Sequence, residues 1–182
     1  MAREFAPLIV VMGVSGAGKS VIGRALAAEL AVAYRDGDDL HSAANIAKMA
    51  SGVALTDEDR WGWLEQVGDY LAAHVDVGAV ISCSALKRSY RDLIRSRAPS
   101  AVFVHLTGDP AVAQSRMRAR THFMPVSLLR TQLETLEPLG PDERGVAADM
   151  ADAPERIVTA VLAALIVEPP PTSPQPQPSP GV

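Results

Sequence analysis

Residues 13 to 20 read Gly-Val-Ser-Gly-Ala-Gly-Lys-Ser and fit the pattern G-x-x-x-x-G-K-[ST], in which a glycine-rich turn presents backbone N–H groups to phosphate oxygens. Gly13, Gly16 and Gly18 allow close approach because they carry no Cβ, while Val14, Ser15 and Ala17 supply the rest of the cradle's backbone. A helix opening at Lys19 would add the positive end of its dipole. Lys19 is the residue type that holds β and γ phosphates, and the Ser20 hydroxyl is placed to ligate magnesium. Such a loop specifies a nucleotide and leaves the reaction open.

The acceptor must be read from the other polar loops. Asp36, Asp38, Asp39 and His41 fall in the string DGDDLH. One carboxylate there can orient magnesium through water, while another takes the proton of an attacking hydroxyl. An Asp- and Gly-rich surface turn would have the same composition. Arg60 sits in the first turn of a helix, where a cation opposes the dipole. Its planar fork suits a carboxylate, although an ion pair with Asp57 or Glu58 is the plainer alternative. Lys87 and Arg88 close the loop CSALKR, where they can bind an anion or solvate a helix start. Arg116 and Arg120 share a helix face four residues apart and repel unless an anion lies between them, and His122 follows them closely. Trp61 and Trp63 read as packing residues. Cys83, the only cysteine, excludes an intrachain disulfide and reads as a small buried apolar residue.

The elements that must position these residues alternate between two periods. Leu8 to Met12 is a continuous apolar run, as in a strand buried on both faces of a parallel sheet. Lys19 to Leu30 has helical spacing, Ala31 to Tyr34 suggests a second strand, and residues 43 to 52 a weak helix. Thr56 and Asp59 form a capping-box pattern before a helix carrying Trp61, Leu64, Val67 and Leu71. A strand at 79 to 82, a basic helix at about 88 to 97, a strand at 101 to 106 and a helix from Asp109-Pro110 to about Arg120 follow. After an interruption at 120 to 126 the helical pattern resumes until Pro138, which suggests a lid over about 116 to 137. A short strand near Val146 and a helix from Pro154 complete one α/β domain spanning 1 to 167. Such alternation implies a mostly parallel sheet covered on both faces, with the ligand beyond the C-terminal strand ends.

The chain has 182 residues, 48% of them apolar and 4% aromatic, and a formal charge of -4. That charge would repel a polyanion, so nucleic acid is not an expected partner. No run approaches the length of a membrane span, and the single cysteine fits a reducing cytoplasm. Residues 168 to 182, EPPPTSPQPQPSPGV, read as a disordered, polyproline-like tail.

Taken together, the motifs resemble the thermoresistant-type gluconokinases, small kinases that phosphorylate gluconate to 6-phosphogluconate with ATP and magnesium. The resemblance is carried by GVSGAGKS at 13 to 20, DGDDLH at 36 to 41, NIAKMASGVALTDEDRWGWL at 45 to 64, CSALKRSYRDLIR at 83 to 95 and SRMRARTHFMPVSLLRTQLETLEP at 115 to 138. It implies a nucleoside-monophosphate-kinase-like α/β/α fold with a five-stranded parallel sheet and a helical lid. It also implies a cytoplasmic homodimer whose product enters the pentose phosphate pathway. Carried over by position, Asp38 stands beside the acceptor hydroxyl and Asp36 on the magnesium side. Arg60, His41 and Lys87 become substrate binders, with Arg60 on the gluconate carboxylate, and His122 joins them from the lid. Arg116 and Arg120 match the nucleotide and lid arginines, Arg120 acting on the transferring phosphoryl group, and Pro154 lies where such folds contact adenine. Some relatives carry an extra residue before the His-Phe pair and a lysine after it, so the lid of this chain is shorter. The rival readings are a shikimate-kinase-like acid kinase, a nucleoside-monophosphate kinase and a nucleotide-dependent regulator. The CSALK loop argues against the first, and the lack of a recognisable second base pocket against the next.

Overall fold

The apolar run Leu8–Met12 becomes β1, and it is buried at every residue because it is the middle strand of the sheet. The structure is a computed structural model that describes residues 6–119 and 126–167. β1 leads into α1 (Lys19–Leu30), β2 (Ala33–Asp36), a 3₁₀ turn (Gly37–Leu40), α2 (Ala43–Ala50) and α3 (Asp57–Ala72). Then come β3 (Ala79–Ser82), α4 (Arg88–Arg97), β4 (Val102–Thr107), α5 (Pro110–Ala119), α6 (Val126–Thr135), β5 (Gly145–Asp149) and α7 (Pro154–Val167). The expected residues Arg120 and His122, the lid's connection at 120–125 and the proline-rich tail lie outside the described residues.

The five strands are all parallel in the order β2-β3-β1-β4-β5. The chain fills one side of β1 with β3 and β2, then crosses to the other side for β4 and β5. The crevice that opens at this reversal lies at the C-terminal end of β1, where the phosphate loop begins. Strand alternation divides the core in two. Ile9 and Val11 face Ile22, Leu26, Val158 and Val161 of α1 and α7. Leu8, Val10 and Met12 face Leu64, Val67, Leu71 and Ile94 of α3 and α4.

Local chemistry explains most boundaries. The Thr56–Asp59 capping box is present in both directions, with Asp59 N–H on Thr56 Oγ1 and Thr56 N–H on Asp59 Oδ2 at 2.7 Å. Asp109 likewise accepts the Ala111 N–H at the start of α5. One boundary departs from expectation. Ala31 adopts a left-handed conformation with φ of 49° and donates to the carbonyls of Ala27 and Ala28. The end of α1 therefore takes up residues whose composition suggested a strand, and β2 starts only at Ala33.

Tertiary packing buries part of α4, which reads from sequence as a basic helix. Arg91 is completely buried. Its Nε and Nη2 donate to the two Glu143 carboxylate oxygens at 2.7 and 2.8 Å. It also donates to the carbonyls of Ala85, Leu86, Glu137 and Pro138. One guanidinium thus joins the loop before α4 to the chain leaving α6. Burial raises the Glu143 pKa, but the Arg91 hydrogen bonds and the Gly140 N–H outweigh it and bring the carboxyl down to about 2. Arg91→Leu strands a buried carboxylate and should cost about 3–5 kcal/mol, because breaking one partner of a buried pair leaves an uncompensated charge. Urea unfolding at neutral pH measures it, and a loss within experimental error would contradict the assigned pairing.

Candidate active site

The phosphate loop follows β1 without a break. Gly13 has φ of 137°, and a Cβ there would come within 2.6 Å of the Leu106 carbonyl oxygen, so both conformation and space demand glycine. Its N–H donates to the Ser84 carbonyl and fastens the loop to the chain leaving β3. The Lys19 ammonium reaches back across the loop to the Val14 carbonyl at 3.0 Å. Ser20 Oγ donates to Asp36 Oδ2 at 2.9 Å, joining the first turn of α1 to the end of β2.

Asp36 organises the next turn. Its Oδ1 accepts the Asp38 N–H, and its Oδ2 also receives the Tyr34 hydroxyl at 3.4 Å. At Gly37 a Cβ would meet the Ser82 carbonyl oxygen at 2.4 Å, so the turn lies directly on β3. The Gly37 carbonyl accepts Trp63 Nε1–H at 2.6 Å. Trp63 is a buried packing residue, as expected, but its ring also stacks on His41 at 4.1 Å between centroids. Burial raises the Asp38 pKa; Lys19 opposes that rise, and Asp36 and Asp39 add to it. Burial, reinforced by the Arg60 charge, lowers His41 to about 4.

These residues line one cavity. Ser15, Lys19, Asp38, His41, Arg60 and Ser84 form its polar walls, and Trp63, Leu55 and Leu86 its apolar ones. α6 closes it with Leu128, Thr131, Gln132 and Thr135, which recur at helical spacing on one face. Lys87 is not in the lining: its ammonium pairs with Asp57 at 2.7 Å. Arg60 donates from Nη1 to Asp57 Oδ1 at 3.5 Å and to the Tyr90 hydroxyl at 3.1 Å. The ion pair weighed from sequence is therefore formed while Arg60 still borders the cavity. A second hollow behind the phosphate loop contains Ala17, Gly18, Arg116, Asp152 and Pro154. Arg116 there donates to the carbonyls of Ala17 and Met150.

The reading from sequence missed Gln132, whose Oε1 accepts the Ser15 N–H at 2.6 Å. A polar residue set among Leu128, Leu129, Leu133 and Leu136 was the only available signal. Tyr90, which accepts from Arg60 beside Asp57, was likewise unmarked. Cys83 is buried and its thiol is pushed up to about 12, mainly by burial, so it offers no nucleophile.

Among the described residues no three His, Cys, Asp or Glu side chains gather into a metal cage. The available oxygens are the Ser20 hydroxyl and the Asp36 carboxylate. This is a small set of hard ligands, suited to Mg²⁺ with the rest of its shell made up by phosphate and water.

His41 gives a pH-dependent test. The folded protein binds its proton less readily than the unfolded chain, whose pKa is about 6.5. Its contribution to stability is intact above about pH 6.5, declines as pH falls toward about 4, and is constant below that. NMR titration of the His41 ring should therefore give a midpoint near 4, and His41→Asn should flatten the stability slope over that window. A midpoint near the free-histidine value would contradict the burial and the Arg60 contact.

Comparison with known proteins places this architecture. The shikimate kinase family model matches residues 15–153. The thermosensitive gluconokinase of Escherichia coli is 44% identical over 162 residues, covering 85% of this chain and 87% of that protein. A gluconokinase structure from Sinorhizobium meliloti is 50% identical with a TM-score of 0.83, covering 91% of this chain and 94% of its own. An unliganded sugar kinase from Janibacter is 45% identical with a TM-score of 0.85, covering 90% and 96%. With the five-stranded parallel sheet, the phosphate loop at its reversal point and these similarities over most of its length, the chain belongs to the gluconokinase family of shikimate-kinase-like P-loop kinases.

Proposed function

We propose that the protein transfers the γ-phosphoryl group of ATP to the 6-hydroxyl of D-gluconate, giving 6-phospho-D-gluconate and ADP. The observation that carries this reading is one cavity in which Lys19 of the phosphate loop, Asp38 and Arg60 are all lining residues. Such a cavity offers an acid-binding cation, a carboxylate for the hydroxyl and a phosphate-binding ammonium to one small acceptor. The similarity to gluconokinases over most of the chain supports the choice of acid.

In this reading the backbone of Gly13 to Ser20 cradles the phosphates and Lys19 neutralises charge on the β and γ groups. The nucleoside lies in the hollow of Arg116 and Pro154. Ser20 and Asp36 would hold Mg²⁺, which would supply charge neutralisation to the phosphates. Asp36 also orients Asp38 through the backbone bond. Arg60 receives the gluconate carboxylate, with Lys87 behind it and His41 as a neutral hydrogen-bonding wall. The 6-hydroxyl is then directed at Asp38. As the oxygen attacks phosphorus, the new O–P bond forms and the bond to the ADP oxygen breaks. The hydroxyl proton passes to Asp38, whose raised pKa improves it as an acceptor. The region 116–137, including Arg120 and His122, acts as a lid that excludes water during transfer, with Arg120 stabilising the transferring phosphoryl group. The family resemblance further supports a cytoplasmic homodimer whose product enters the pentose phosphate pathway.

The decisive experiment is ADP release with Mg²⁺-ATP and gluconate, shikimate, AMP or no acceptor. Gluconate alone should raise turnover well above the acceptor-free rate, and equal rates for all four would end the substrate assignment. Asp38→Asn should lower kcat by about 100-fold or more with little change in the KM for ATP, the scale of losing a general base. Wild-type turnover in that variant would remove Asp38 from the proton-accepting role.

A further inference from the structure

Behind Arg60 lies a cluster of Asp57, Lys87 and Tyr90, of which the proposed chemistry uses only Lys87. Asp57 is the first residue of α3, held there by the capping box at Thr56. Its carboxylate accepts two bonds from Lys87 Nζ, at 2.7 and 3.0 Å, and one from Arg60 Nη1 at 3.5 Å. The Tyr90 hydroxyl donates to the same Oδ1 while accepting from Arg60 Nη1 at 3.1 Å. Both cations also lie over the Tyr90 ring, at 5.6 and 5.5 Å from its centroid. Hydrogen bonds from Lys87 and Tyr90 hold the Asp57 carboxyl below its ordinary range, so it is charged at neutral pH.

This geometry has two consequences. Both Arg60 bonds leave from Nη1, so the Nε and Nη2 edge, the one that can pair with a carboxylate through two parallel bonds, has no hydrogen-bond partner among the described residues. The charge also sums to a specific value: two cations and one fixed carboxylate leave a single positive charge at the acid end of the pocket.

We propose that Asp57 is a specificity-determining residue, which by neutralising one of the two cations matches the acid end of the pocket to a monocarboxylate and disfavours dianionic sugar acids. The inference rests on the reading of Arg60 as the carboxylate binder. Asp57 acts through Arg60 and Lys87 rather than on the substrate, so it is a positioning residue and not a catalytic one. The side chains of Asp57 and Lys87 are about a third exposed, at 35% and 31%, so solvent and salt screen the effect. The second carboxylate of a sugar diacid would lie at the hydroxyl end of the acceptor, on the order of 12 Å from Asp57, where one unit of charge in a medium between protein surface and water corresponds to roughly a twofold to threefold change in relative affinity.

The test uses the full-length enzyme with gluconate as acceptor and glucarate, a six-carbon dicarboxylate with no 6-hydroxyl, as competitive inhibitor. In Asp57→Asn the ratio of the glucarate Ki to the gluconate KM should fall about twofold to threefold at low ionic strength, and the difference should shrink at about 0.5 M salt. Lys87→Met should move the ratio the opposite way, and it supplies the answer if Asp57→Asn does not fold. Tyr90→Phe keeps every charge and should raise both constants together with the ratio unchanged. A ratio that stays constant in Asp57→Asn and Lys87→Met, or that moves equally at low and high salt, overturns the proposal. Wild-type turnover with gluconate is read in the same assay, so its absence identifies a failure of the substrate reading and not of the charge argument.

Discussion

The carboxylate of Asp36 receives the Ser20 hydroxyl from α1, the Tyr34 hydroxyl from its own strand and the Asp38 N–H from the following turn. Tyr34 in turn shares a hydrogen bond with Ser82 at the end of β3. β2 is an edge strand with half-exposed residues, so its own packing fixes it weakly. These polar bonds at its C-terminal end supply the missing constraint. They set the height of the DGDD turn relative to the phosphate loop, and through it the positions of Asp38, His41 and Trp63.

Electrostatics then divides the cavity. Near the phosphate loop the Asp38 carboxylate stands with Lys19, whose charge opposes the rise in the Asp38 pKa. At the far end Arg60 stands over an acid and a phenol that fix one of its nitrogens. His41 lines the same cavity and is kept neutral, so it adds no charge to either end. An acceptor with an acid at one end and a hydroxyl at the other fits this polarity in only one direction.

The sheet was legible in the sequence because buried parallel strands are continuous apolar runs and their helices carry period and caps locally. The site was legible where a short string fixed both composition and geometry, as in the phosphate loop and the turn after Asp36. It was less so where a residue's surroundings come from distant parts of the chain. Gln132 meets Ser15 across 117 positions, and Lys87 meets Asp57 across 30. Arg91 is the extreme case. A helix with that many arginines reads as solvent-facing, and only Glu143, 52 positions away, makes its burial tolerable. The start of β2 was misplaced for a local reason, since alanine in a left-handed cap carries none of the glycine signal that usually marks a helix end.

The junction between Arg91 and the chain leaving α6 has a mechanical meaning. Glu137 N–H donates to the Leu86 carbonyl at 2.8 Å, and Arg91 holds the Glu137 and Pro138 carbonyls, so this end of α6 is a fulcrum set on α4 and the loop before it. At a rise of about 1.5 Å per residue, Gln132 stands about 6 Å along the rod from Leu136 and Val126 about 15 Å. A tilt of about 10° therefore displaces Gln132 by about 1 Å and the far end by about 2.6 Å. That shorter displacement is sufficient to carry the 2.6 Å contact with Ser15 beyond hydrogen-bonding range. A tilt of α6 about its fulcrum would therefore be registered at the phosphate loop through the contact of Gln132 with Ser15.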